Sequence, residues 1–382
     1  AGLFTAGIVG SVALGGLGVV LMAGPPVPEA WNAGTPRILA ALAFAVAAIG
    51  LAVTMRRRMP AGRLRGWSIT LMLLAAFFIY RAVLDPAVAA VEEVNPAQQG
   101  HIGGLGLNSL WGWPMGALLA GIGAWVIGKI ALGLREDYLA IATLGIAEII
   151  IIALKNEDWL ARGVKNLTGF PRPWPVPQEL TLQAEPAFVE LMGTIGADPV
   201  TASTITVKLL YAVMFTLVLL VLIWLCERAL NSPWGRMVRA IRDNEHAAAA
   251  MGKNVTFRHL QIFIAGSAVV GLAGAMMTSM AGQIVPTEYT PLRFTFLIWV
   301  MVIVGGSGNN WGAVLGGLLI GWLYLAVEFL GPQLMDWITA GLPAGPLRDR
   351  LQDSAAQMRL VTLGAALLLV LRFAPRGMIP EK

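Results

Sequence analysis

The chain has 382 residues, of which 57% are hydrophobic and 13% charged, with a formal net charge of +5. Soluble domains carry about 25% charged residues, so this composition and a mean hydropathy of +0.71 exclude an ordinary water-soluble domain. The single Cys226 excludes an intramolecular disulfide and a cysteine metal cluster, and His101, His246 and His259 show no metal-ligand spacing. Apolar runs of roughly 20 residues recur, the length an α-helix needs to cross a bilayer. The short alternating segments of a porin-type barrel are absent. The expected fold is all-α, a polytopic transmembrane helical bundle of about ten apolar segments. The arginine excess fits loops on the cytoplasmic side better than nucleic-acid binding.

The first segment spans roughly 3–23 and begins at once, without a basic lead, which argues against a signal peptide and for a truncated N-terminus. Segments follow at roughly 37–55 and 67–84, joined by a turn carrying Arg56, Arg57, Arg58, Arg63 and Arg65. Arg81 and Asp85 stand one helical turn apart and should pair. Residues 85–110 contain no Lys or Arg. Segments at 112–134 and 138–154 come next, the second carrying Thr143 and Glu148. A carboxylate in lipid normally faces the bundle interior or water. Glu148 is therefore either a pathway residue or the partner of Lys129 or another base.

The loop 155–204 is too long for a turn. Pro171, Pro173, Pro175 and Pro177 stiffen it, and Glu185–Met192 reads as a short surface helix. That helix is either a lid or a landing place for a delivery protein. Segments at 205–226 and 260–281 flank a basic loop, 227–259. Within it, Asp243 or Asn244 can cap a short alanine-rich helix, Glu245 suits its positive end, and Gly252 can stop it. Such a helix is either offered to a soluble partner or is a solvated connector.

The segments at 294–305 and 312–330 are separated by Gly305-Gly306-Ser307-Gly308-Asn309-Asn310-Trp311-Gly312. No strand precedes this run and no Lys-Ser/Thr follows, so it is no phosphate loop. It reads as a helix break at Gly305, Gly306 and Gly308, or as a plain tight turn. Glu328 falls near the end of the following segment and the last segment covers 358–373. Arg372, Arg376 and Lys382 close the chain. Alternating crossings bring the three basic regions to one face, assigned as cytoplasmic. Small residues recur every four positions at 116/120/124/128, 267/271/275 and 313/317/321, with Gly312 and Gly316 beside the last series. Such ladders let helices approach closely in lipid. No catalytic constellation is present, and the thirteen Trp fit interfacial belts.

Several of these stretches resemble one family. Ser232 to Glu245, Ala247-Ala248 and Gly252 to Thr256 look like the cytoplasmic loop of LivM-type permeases, membrane subunits of branched-chain amino acid ABC importers. Leu134 to Glu148, Asn156 to Pro173, Gly271 to Ala275, Val304 to Gly312 and Arg372 to Met378 resemble further family segments in the same order. Together they cover roughly residues 110–378, while the opening Ala1–Gly10 resembles an early family motif. Against that pattern, residues 36–100 look like an inserted helical hairpin.

The resemblance implies an ABC importer permease fold in one transmembrane domain over 1–382. It implies two ABC ATPase subunits, a second permease subunit and a periplasmic solute-binding protein as partners, with lipid around them and no nucleic acid. ATP would be bound by the partner subunits, with no cofactor and no enzyme activity in this chain. The place would be the bacterial inner membrane. Arg239, Asp243, Asn244, Glu245, Ala247, Ala248 and Gly252 would couple the ATPases to the path. The match to the coupling motif of other importers is partial, since its hydrophobic-Pro ending is missing. The rival readings are an ion-coupled secondary transporter or channel using Glu148, and a membrane-embedded enzyme.

Overall fold

The computed structural model describes residues 5–60, 62–95, 100–134, 136–340, 345–354, 358–374 and 377–379. Residues 1–4 of the opening motif, Arg135, Arg376 and Lys382 therefore lie outside the described residues. Each of the ten expected apolar segments contains a helix. Among the described residues, seven helices are long and apolar enough to cross a membrane: Thr35–Arg58, Arg63–Glu92, Ser109–Ala131, Tyr138–Asn156, Pro199–Asn231, Val255–Ala281 and Asn310–Thr339. The other three expected segments are shorter apolar helices, Ile8–Ala23, Arg293–Gly305 and Leu360–Phe373. Of the ten expected segments, seven are thus helices of full crossing length and three are shorter apolar helices.

The chain divides into two compact units, one of residues 1–9, 214–258 and 290–382, the other of residues 10–213 and 259–289. In the second, three helices meet backbone to backbone. A Cβ added to Gly15 would lie 2.0 Å from the Gly271 carbonyl oxygen, and one at Gly18 would lie 2.4 Å from the Gly116 nitrogen. One at Gly271 would meet the Gly116 oxygen at 2.6 Å. Glycine is required at each of these positions because nothing larger allows the approach. The ladders at 116/120/124/128 and 267/271/275 thus face one another and the Ile8–Ala23 helix. Trp113 closes the group by donating from Nε1 to Ser279 Oγ at 3.0 Å.

The Thr35–Arg58 and Arg63–Glu92 helices form a hairpin whose root packs through Ile38, Ala41, Leu84, Ala87 and Val91 on Val27, Ala30, Ile102 and Trp159. The Arg81–Asp85 pair is present at 3.1 Å. The loop after Asn156 carries helices Glu179–Ala184 and Pro186–Ile195, the second at the position expected for Glu185–Met192. Leu167 and Thr168 pair with Ile284 and Gln283 as a two-residue antiparallel ribbon.

In the first unit, helix Leu297–Gly305 turns back on Asn310–Thr339. A Cβ on Gly305 would lie 1.9 Å from the Gly312 oxygen, and one on Gly316 would lie 1.9 Å from the Met301 oxygen. The contact row is therefore Gly312, Gly316 and Ile320, all buried. Of the two adjacent series, Gly312 and Gly316 make the contact, while Gly317 and Gly321 have no neighbouring atom within 4 Å of an added Cβ. One residue around a helix is 100°, enough to turn a ladder off the contact.

Candidate functional site

The polar loop between Asn231 and Val255 folds as two helices. Pro199–Asn231 ends at Asn231, and Ser232 starts Pro233–Asp243 by accepting from the Gly235 amide at 3.3 Å. Pro233 at the first position has no amide to leave unsatisfied. The reversal is tight: a Cβ on Gly235 would lie 2.3 Å from the Leu230 oxygen. Gly235, Val238 and Ile241 face inward. Arg239 donates from Nη2 to the Leu230 oxygen at 2.7 Å, and Arg236 from Nη1 to the Asn231 oxygen at 3.4 Å. Both satisfy carbonyls that the end of a helix leaves without partners.

Asn244 then breaks the chain and caps Glu245–Ala250, its Oδ1 accepting from the Ala247 amide at 2.9 Å. Of the two expected caps, the structure selects Asn244. Asp243 instead closes the preceding helix, its carboxylate 3.3 Å from Arg242. Gly252, at φ +76°, stops the short helix, its amide 2.9 Å from the Ala249 oxygen. No residue of Glu245–Ala250 is buried; Glu245 and Ala247 are exposed, Ala248 is half-exposed, and Met251 follows at 80% exposure. The preceding helix, Pro233–Asp243, is amphipathic and stands outside the sequence expectation of a single short helix. Its signals were Ser232-Pro233 and the i, i+3 pair Val238 and Ile241.

The glycine-rich turn lies in the same unit. Gly306, at φ +116°, ends Leu297–Gly305, and Asn309 caps the next helix by accepting from the Trp311 and Gly312 amides at 2.9 and 3.4 Å. The tail seals it, with the Met378 and Ile379 amides bonded to the Val304 and Gly305 oxygens at 2.9 and 3.0 Å. The run thus forms a tight, capped turn between the two helices. Gly308 sits in the rim of a cavity of about 470 Å³ together with Glu227, Arg239, Arg242 and Asn309. Trp311 Nε1 donates across it to Glu227 at 3.1 Å. The structure thus joins the basic loop to the glycine turn, which the sequence kept 50 or more residues apart.

Glu148 and Thr143 belong to the other unit. Thr143 is buried, and its hydroxyl donates to the Ala140 oxygen at 3.0 Å. Glu148 is half-buried on the same helix, Glu136–Asn156. Among the described residues its carboxylate is not paired with Lys129, which corrects that expectation. Lys129 sits in the last turn before the connection, whereas Glu148 lies far along the returning helix. With a rise of 1.5 Å per residue the two are separated by about 15 Å along the axis.

The loop 155–204 is anchored by Arg172. Its guanidinium lies 2.6 Å from Glu179, 3.4 Å from the Tyr211 hydroxyl and 3.2 Å from the Met280 oxygen. Tyr211 donates onward to the Ser279 oxygen at 2.9 Å. Burial works against the Arg172 charge, but the Tyr211 and Glu179 contacts outweigh it and raise its pKa. Ser109 donates to the Pro171 oxygen, and Asn108 accepts from the Trp174 amide at 3.0 Å. The segment is thus tied to its surroundings at several separate points. The sequence signal was an arginine in a proline run with a glutamate seven positions later.

Residues 38–371 match the model of the branched-chain amino acid transport system permease component family. The chain is 29% identical to the probable branched-chain amino acid transport permease protein LivM of Methanocaldococcus jannaschii, over 69% of this chain and 67% of that protein. It is 30% identical to the high-affinity permease protein LivM of Escherichia coli, over 54% of this chain and 48% of that one. The fructose import permease FrcC of Rhizobium meliloti is 29% identical over 32% of this chain and 34% of its own. The chain thus spans about half the length of the Escherichia coli relative. No solved structure matches.

Proposed function

The chain belongs to the branched-chain amino acid transport permease family, and from that premise we propose that it is the transmembrane subunit of an ATP-driven importer. Its solute is a branched-chain amino acid or a related small polar molecule. The amino acid reading is favoured because the LivM matches cover 69% and 54% of the chain, against 32% for the fructose permease. The partners are two ABC ATPase subunits, a second permease subunit and a periplasmic binding protein. The complex sits in a bacterial inner membrane, with ATP on the partner subunits.

The observation that carries the coupling role is the outward helix Glu245–Ala250, capped at both ends and carried on Pro233–Asp243. A short helix with an alanine face offers a partner groove little side-chain entropy to lose. Its base is braced by Arg239 on Leu230, so a push on it reaches the Pro199–Asn231 helix directly.

Isolation of the full-length protein from its own membrane in mild detergent, with mass spectrometry of what accompanies it, tests the assignment. ABC ATPases and a second permease are expected. Isolation alone across detergents, with ion-driven uptake by the purified chain in liposomes, would replace it with the secondary-transporter reading. Half-buried Glu148, without an ion pair among the described residues, is the observation that favours that rival.

A further inference from the structure

The Arg-rich turn between Thr35–Arg58 and Arg63–Glu92 plays no part in the proposed coupling. Beyond the packed root, no described residue from 42 to 83 is buried, and Ile49, Leu71, Phe77 and Phe78 are each more than half exposed. The walls of the hairpin therefore suit acyl chains. At its turn, five arginines fall between positions 56 and 65, while no Asp or Glu occurs between Glu29 and Asp85.

Local stability does not account for that charge. Arg56, Arg57 and Arg58 suit the negative end of the helix they close, but Arg63 and Arg65 occupy the positive first turn of the next, where carboxylates are favoured. Arg65 is used in part, its Nη1 3.4 Å from both the Arg56 and Met59 oxygens, which holds the turn closed. Arg56, Arg57, Arg58 and Arg63 are exposed. The hairpin's own carboxylates, Asp85 and Glu92, lie at the root end of its second helix, and Asp85 pairs with Arg81. Leu64 and Trp67 beside them are 85% and 67% exposed, the residue types that settle at a membrane interface.

We propose that this turn binds the phosphate headgroups of anionic phospholipids, whose chains lie along the apolar hairpin walls. Guanidinium groups match phosphate oxygens in charge and in paired N–H geometry. Clustered basic residues at a helix end next to lipid are a recognised basis for such selection. The same arginines also bias the direction of insertion, but that effect requires no preference between bound lipids. The inference does not depend on the importer assignment.

The test uses the full chain in phosphatidylcholine vesicles carrying either spin-labelled phosphatidylglycerol or spin-labelled phosphatidylcholine. The wild type should hold the phosphatidylglycerol probe several-fold more strongly, with the preference falling as salt rises. Each arginine neutralised should cost up to about fivefold, so R56Q/R57Q/R58Q/R63Q should remove the preference and the matching lysine variant should keep most of it. If the quadruple variant inserts poorly, the wild-type salt series and R57Q/R58Q still decide. No preference in the wild type, or one unchanged in the quadruple variant, overturns the proposal. Unchanged lipid preference with loss of a co-isolated protein also overturns it and assigns the turn to that protein.

Discussion

The Thr35–Arg58 span has a mean hydropathy of 2.5 and buries little, whereas Ser109–Ala131 has 1.5 and is packed on helices along one whole face. The more hydrophobic helix is the less packed one. Lipid is as apolar as leucine, so hydrophobicity places a helix in the bilayer but does not join it to another. Gly15, Gly116 and Gly271 do that by letting backbones touch. Among the described residues from 42 to 83 none is buried, and Gly50, Gly62 and Gly66 meet no neighbour.

Breaking the glycine contact should have the largest effect. Gly271→Leu must push apart the Ala120 side chain and the Gly116 backbone, with an expected loss of about 3 kcal/mol, read as a large drop in the thermal midpoint in detergent. A midpoint near wild type would show that the helices do not need this approach. Arg172→Ala should come next, removing the Glu179, Tyr211 and Met280 contacts of a largely covered guanidinium. A loss of about 2 kcal/mol is expected, together with faster proteolysis between residues 171 and 198.

Phe78→Ala in the hairpin sharpens the contrast from the other side. Phe78 is 66% exposed, and its loss should change stability by less than about 0.5 kcal/mol. A large drop would mean that a protein surface covers this face. The smallest effect belongs to Asp198, which is exposed and accepts from the Thr201 amide and hydroxyl at 2.9 and 2.8 Å. Those bonds lower its pKa below the ordinary carboxylate value. The cap is therefore complete above the unfolded pKa and lost as pH falls through the folded one. Asp198→Asn should flatten this acid dependence, seen as faster amide exchange at residues 201–203 in the wild type only on acidification.

The helices were legible because each is a long apolar run, and so was the Asn244-to-Gly252 helix, because caps are local chemistry. Which of the two adjacent small-residue rows, 312/316 or 313/317/321, makes the contact is not legible, because they read alike in sequence. Only the facing Met301 and Gly305 carbonyls decide between them. The Glu148–Lys129 pairing failed because charge complementarity ignores axial rise. The Arg172 anchor and the cavity joining Arg239 to Asn309 depend on contacts between residues tens of positions apart, which periodicity does not encode.

The coupling helix is the central claim, and the measurement that reaches it is paired ATP hydrolysis and solute uptake by the complete complex in proteoliposomes. The variant is E245A/G252V. Valine at φ +76° cannot hold the helix stop without strain, and alanine removes the first-turn charge. Assembly and ATP hydrolysis should be retained with uptake reduced at least about tenfold, a coupling loss near 1.4 kcal/mol. Uptake per ATP equal to wild type in a correctly assembled variant would contradict it.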